Sequence, residues 1–211
     1  MMNRRSLGRL AATVALAAAL PVALPAFAAD EAPDALVKRL STDVLQTIRG
    51  DKSLQNGDVS KVVALVDKTV MPSVNFRRMT AAAVGPQWRQ ATPDQQQRLQ
   101  DEFKTLLVRT YAGALTQVNA QTDIVVKPLR AQPTDTDVLV RTEIQGRGDP
   151  VQLDYRLEKT AGGWKIYNLN VLGVWLVDTY RNQFAQEINA KGIDGLIASL
   201  DARNKSNAAG K

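Results

Sequence analysis

The 211-residue chain carries 27 Lys and Arg against 21 Asp and Glu, a formal charge of +6, and contains neither His nor Cys. Without His it lacks the commonest general base, the Ser-His-Asp arrangement and imidazole metal sites; without Cys it lacks thiolate nucleophiles, most zinc sites, disulfides and an acceptor for a lipoprotein anchor. Its basic residues are spread out rather than gathered in a run, so nucleic-acid binding loses its usual support, and any catalysis would have to use carboxylate pairs, Tyr or Lys.

Arg4, Arg5 and Arg9 precede an apolar run from Leu10 to Leu20, and Ala26-Phe27-Ala28 has the small-x-small pattern of a cleavage site. The run covers about half of the roughly 20 residues that cross a bilayer and is broken by Pro21 and Pro25, so residues 1–28 read as a secretory signal peptide rather than an anchor. Cleavage after Ala28 removes three arginines and leaves 183 residues at +3. That length fits a single domain over residues 29–203, followed by a polar, Ala-rich tail over 204–211 that should fray.

Leu36, Leu40, Val44 and Ile48 repeat every four residues and predict a first amphipathic helix ending near Gly50, with residues 50–57 as a loop. Asp58 can cap a second helix whose stripe is Val59, Val62, Val63, Val66 and Val70, stopped by Pro72. So many β-branched residues imply that packing, not propensity, holds it. A shorter helix carries Phe76 and Met79 up to Gly85-Pro86. Thr92-Pro93-Asp94-Gln95 then supplies a cap, a proline at the first helical position and a capping-box Gln. Leu99, Phe103, Leu106, Leu107, Thr110, Tyr111 and Ala114 line one side of the helix that follows.

The period then changes. Residues 124–127, 138–144, 151–159 and 164–171 have strand lengths and are separated by turn-forming clusters, which predicts a four-stranded antiparallel sheet. Val151, Leu153, Tyr155 and Leu157 alternate with Gln152, Asp154, Arg156 and Glu158, giving one dry and one charged face. In the fourth strand Tyr167, Leu169 and Val171 alternate opposite to Trp164 and Ile166, so strict alternation sends one set away from the interior; the Tyr167 set is taken as inward.

Across Gly173 the alternation gives way to a helical stripe of Val174, Val177, Phe184 and Ile188. Arg181 falls on that face, where a cation is snorkelling, paired to a carboxylate, or aimed at an anionic ligand. Ile193, Leu196, Ile197 and Leu200 predict a last helix. Helices segregated against one face of an antiparallel sheet define an α+β fold.

Two blocks carry a family resemblance. One is Trp164 to Tyr167, Gly173 to Val177 and Tyr180 to Phe184; the other runs from Val70-Met-Pro-x-x-Asn-Phe76 through Val84-Gly-Pro-Gln-Trp-Arg89 to Thr110-Tyr-Ala-Gly-Ala-Leu115. Over about residues 34–200 the chain resembles the periplasmic phospholipid-binding proteins of the toluene-tolerance and Mla lipid-transport family. Trp175 stands where that family often has Ser, and Asn168 where Asp is common. The resemblance implies a curved sheet and helices enclosing a cone, similar to the nuclear-transport-factor-2-like architecture with added N-terminal helices. It also implies a periplasmic carrier of phospholipid that needs no cofactor and touches membranes only transiently. Its implied partners are an inner-membrane ABC transporter with a lipid-binding ring and an outer-membrane lipoprotein–porin complex.

By stripe and strand face, the residues expected to line an acyl-chain pocket are Phe103, Leu107, Tyr111, Leu153, Tyr155, Leu157, Tyr167, Leu169, Val171, Val174, Val177 and Phe184, with Arg181 as a possible headgroup contact. Each of these residue types also fills an ordinary core, so only the resemblance turns the space between sheet and helices into a pocket. Two other functions remain open: an adaptor or holdase that binds proteins, and an isomerase-like enzyme using Asp154 with Tyr155 or Asp178 with Arg181.

Overall fold

A computed structural model describes residues 31–209; the leader read over residues 1–28 lies outside them. Helix α1 spans Pro33–Gly50. The expected loop after it contains a one-turn helix α2, Lys52–Gln55, because Asp51 accepts hydrogen bonds from the Ser53 and Leu54 amides. Asp58 caps α3, Val59–Leu65, by accepting from Lys61 N–H. The Val-rich stripe then continues as a π-helical turn, Val66–Val70, and a 3-10 turn, Met71–Ser73. Asn75 caps α4, Phe76–Val84, and a 3-10 turn, Gly85–Arg89, leads to α5, Pro93–Tyr111. Both halves of the Thr92–Gln95 capping box are formed.

The sheet is antiparallel in the order β1-β2-β3-β4-β5, with β1 Asp123–Val126, β2 Asp137–Gln145, β3 Val151–Thr160, β4 Gly163–Val171 and β5 Val174–Trp175. The α+β reading holds, with five strands in place of four. Val174 is therefore a strand residue opposite Val171, and not the first residue of a helical stripe. The turn between them is Leu172-Gly173, both at positive φ, 53° and 86°. Two-residue hairpins favour this mirror-image geometry, but a Leu held there costs on the order of 1 kcal/mol. Helix α6, Leu176–Ala209, starts only after β5.

Within α6 the backbone breaks at Gly192, at φ 72° and ψ −177°, a conformation essentially confined to glycine. The chain folds back so closely that a Cβ on Gly195 would lie 2.1 Å from Lys191 Cβ. The helix also continues past residue 203, where fraying was expected. Asn204 is buried and its amide donates to the Glu102 carbonyl and carboxylate of α5, tying the terminal turns down.

Cross-strand partners fix the faces of the sheet. Val138, Val140 and Thr142 of β2 pair with Leu157, Tyr155 and Leu153 of β3, and these pair in turn with Ile166, Leu169 and Val171 of β4. That face is the inner one. The register of β3 and β4 shifts between Arg156 and Leu157, which leaves Tyr167 as an extra, unpaired residue on β4. The expected choice between a Tyr167 set and an Ile166 set thus does not arise: the bulge resets the alternation, so Ile166, Leu169 and Val171 all face inward and Tyr167 faces out.

Among the described residues three apolar clusters make up the core. One joins α4, α5 and α6 around Phe103. A second joins α1 to the inner sheet face through Leu36, Val37, Leu40, Val140 and Leu157. The third seals the end formed by α1, α3 and the C-terminus of α5, around Ile48 and Val62.

Candidate functional site

The helical cluster and the sheet cluster face each other across a seam, and Val74 and Leu169 are the partly buried residues packed against both. Val74 gets there because the segment after the 3-10 turn runs alongside β4: it bridges to Ile166, and the next amide, Asn75 N–H, donates to the Ile166 carbonyl at 2.8 Å. The seam is thus bounded by α4, α5 and α6 on one side and by β3 and β4 on the other.

Its helical wall is aromatic. Phe103 is fully buried, with ring centroids 5.8 Å from Phe76, 4.9 Å from Tyr180 and 5.2 Å from Phe184, the last two edge-on. Val177 is buried in the same cluster, while Leu107 of α5 and Val171 of β4 pack against it. On the sheet side Tyr155 and Leu157 are buried, with Leu153 beside them. Burial pushes the Tyr155 hydroxyl up to about 12, an effect partly offset by the Ser41 and Thr142 hydroxyls.

Nine of the twelve expected lining residues therefore meet at this seam or in the clusters beside it. Tyr111, Val174 and Tyr167 do not. Tyr111 is 36% exposed at the end of α5 and Val174 is 51% exposed on β5. Tyr167 points to the outer face, where its hydroxyl donates to Asp137 at 2.7 Å and the Arg78 guanidinium lies 3.6 Å from its ring centroid. Arg78 also pairs with Glu158, which accepts from Asn75 as well, so this polar knot fastens the start of α4 to the outer face of the sheet.

Arg181 lies off the apolar stripe. It is exposed, and its Nε donates to the Ala82 carbonyl near the C-terminus of α4, where a cation also complements the helix dipole. Of the two pairs weighed for catalysis, Asp154 and Tyr155 stand on opposite faces of β3. Asp154 is buried and accepts from the Gln152 amide at 2.6 Å, and Arg181 turns to α4 as described. Among the described residues no cluster of Asp, Glu, His or Cys could hold a metal ion.

Ile166, Val74, Met79 and Tyr180 belong to the site and were not expected in it. Tyr180 carried a signal, because it sits four residues before Phe184 on one helical face. Ile166 was hidden by the bulge. Asn168, noted as a departure from the common Asp, is buried, and its side-chain oxygen accepts from the Val177 amide in the first turn of α6. It therefore fastens the helical wall to β4 without bringing a charge into the interior.

A cleft of about 580 Å³ runs along α1 from Glu31 to Thr47, against the β3–β4 hairpin; its lining includes Leu36 and Trp164, which also pack in the sheet cluster, and the cations Arg39, Lys68 and Lys165. Arg39 makes a two-pronged contact with Glu31, at 2.8 and 2.7 Å, which holds the Glu31 carboxyl below its ordinary value.

An open antiparallel sheet with a layer of helices on one face and a mainly apolar, uncharged seam between them defines an α+β domain built around an apolar interior. Residues 38–202 match the MlaC protein family. The chain belongs to that family. A curated relative, the toluene tolerance protein ttg2D of Pseudomonas putida, is 26% identical over 167 residues, 79% of this chain and 77% of the relative. The intermembrane phospholipid transport system binding protein MlaC of Haemophilus influenzae is 23% identical over 176 residues, covering 82% of each. Among solved structures, a phospholipid-binding protein from Ralstonia solanacearum in complex with a phospholipid is 50% identical, with a TM-score of 0.81 over 85% of this chain and 99% of that one.

Proposed function

We propose that the chain is a periplasmic phospholipid carrier that holds acyl chains in the seam between α4–α6 and the inner face of the sheet, with the phosphate headgroup left in water at the mouth. The observation that supports this most strongly is the 50% identity, across nearly the full length of the neighbour, to a protein solved with a phospholipid. In this reading lipid moves between an inner-membrane ABC transporter with a lipid-binding ring and an outer-membrane lipoprotein–porin complex, which maintains outer-membrane lipid asymmetry. The carrier itself uses no cofactor and catalyses no reaction.

The physical demand explains the architecture. At about 0.8 kcal/mol per methylene, two chains of roughly 30 methylenes in all cost on the order of 24 kcal/mol to expose to water, so a shallow groove is insufficient. Phe103, Leu106 and Leu157 are fully buried and Ile166 is 2% exposed, so side chains occupy the interior in this conformation. Loading requires the helical wall and the sheet to part along the seam beside Val74 and Leu169, and the buried tails return the cost of parting them.

Leu169→Trp tests the seam, because it fills the space where both clusters meet. The expected result is loss of most co-purified phospholipid with an unchanged circular dichroism spectrum, while Leu139→Trp, on the outer face opposite Arg156, keeps its lipid. Equal lipid in the two variants would rule out this seam as the acyl site.

A further inference from the structure

The tip of the β4–β5 hairpin is built at a cost. Positions 172 and 173 both lie at positive φ, the geometry for which Asn-Gly or Asp-Gly is the favoured pair, yet position 172 is Leu. Burial does not compensate, since Leu172 is 66% exposed and its neighbour Val174 is 51% exposed. Nor is the tip loose: Gly173 N–H donates to the Asn170 side-chain oxygen at 2.8 Å and Leu172 N–H donates to the Gln152 carbonyl at 3.1 Å. Two large apolar side chains are therefore held outward on a braced turn.

The chemistry around the tip narrows what it can meet. From Asn168 to Val177 there is no charged residue, and between Lys159 and Val177 the only charges are the cations Lys159 and Lys165. Trp175, next to Val174, carries the Arg156 guanidinium 4.7 Å from its ring centroid. The adjacent β2–β3 turn contributes one cation and one carboxylate, Arg147 and Asp149, and so no net charge. Of the two carboxylates in the Arg156 strand, Asp154 is buried and accepts from Gln152, and Glu158 is paired with Arg78, while Asp178 stands in the first turn of α6. Apolar tip, amphipathic Trp and the exposed Arg156 cation stacked on it form the sequence of layers that matches the acyl boundary, interface and anionic headgroups of a bilayer. The hairpin also follows directly from Leu169 and Val171, so whatever it touches lies at one end of the seam.

We infer that the Leu172–Trp175 tip is a membrane-docking surface that inserts Leu172 and Val174 at the headgroup boundary of an anionic bilayer and so brings the end of the acyl seam to the lipid. This rests on the carrier reading for its purpose, but the docking itself can be measured separately. Leu172→Asn is the informative variant, because Asn tolerates the left-handed conformation and removes the exposed apolar group. It should melt at or a few degrees above the unchanged protein, whereas a Leu172 that merely stabilised the fold would make it melt lower.

In cosedimentation with phosphatidylglycerol-containing vesicles, the exported chain should bind and Leu172→Asn should bind about tenfold less, with the Trp emission shift on vesicle addition lost in parallel. Equal sedimentation of the two proteins, no sedimentation of either, or lipid exchange that proceeds only through a protein partner would overturn the inference. Phospholipid extracted from both proteins before vesicle addition reports on the carrier reading alone: an empty protein that still sediments through Leu172 fails that reading and keeps this one.

Discussion

Ile166 and Leu169 stand on the same face of β4 although three positions separate them, because Tyr167 is the extra residue of a bulge and restarts the alternation. Ile166 closes the sheet cluster opposite Leu157, and Leu169, opposite Tyr155, reaches the seam. The bulged Tyr167 is held on the outer face by Asp137 and Arg78. Tyr167→Ala should therefore destabilise the fold by about 1–2 kcal/mol in urea unfolding, and Tyr167→Phe, which keeps the ring under Arg78, by less than half of that. Both should keep their lipid. A folded Tyr167→Ala that loses its phospholipid would place this residue in the lining after all.

Phe103 is the hub of the helical wall. Its removal leaves a void bounded by Phe76, Tyr180 and Phe184, so Phe103→Ala should cost about 3–5 kcal/mol, read from the shift of the chemical-denaturation midpoint at constant slope. A cost below about 1 kcal/mol would mean that the wall collapses freely around the gap.

Tyr155 makes a prediction in pH. Its hydroxyl is pushed up to about 12 in the folded chain, against about 10 in an unfolded one. Below pH 10 the group is neutral in both states and contributes no pH dependence. Between about pH 10 and 12 the unfolded chain loses this proton and the folded chain keeps it, so stability falls as pH rises, by on the order of 2 kcal/mol in all. Tyr155→Phe should flatten that part of the profile when unfolding free energies are compared at pH 9 and pH 11.

The fold-back in α6 depends on two glycines. Gly192 occupies backbone space closed to other residues, and a side chain on Gly195 would strike Lys191. Gly192→Ala should cost about 1–3 kcal/mol and loosen the return of the last turns onto α5, seen as faster amide exchange from Ile193 to Asn204. Gly50→Ala, at the end of α1 with open space around it, is the control and should change stability by less than about 1 kcal/mol.

Much of this was legible in the chain. The helix of Thr92 to Tyr111 is announced by a capping box and a stripe, both local signals, and it forms with both capping hydrogen bonds. Strand boundaries followed from turn residues and alternation. Long-range pairing was not legible: the bulge at Tyr167 is set by the register of β3 against β4, and β5 is too short for any period to show. Reading Val174 and Arg181 onto one helical stripe failed for the same reason, since the helix begins after β5 and its phase cannot be counted from Gly173. The break at Gly192 left no mark beyond the glycine itself, and Asn204 looked like part of a polar tail because its partner, Glu102, lies about a hundred residues earlier.

Native mass spectrometry of the chain without residues 1–28, purified without detergent from cells that supply phospholipid, measures the central claim most directly. The account predicts a protein heavier than its chain by the mass of phospholipid, shed on organic extraction and absent from Leu169→Trp. A bare chain mass for the folded, unaltered protein, or a lipid adduct equally abundant in Leu169→Trp, would contradict it.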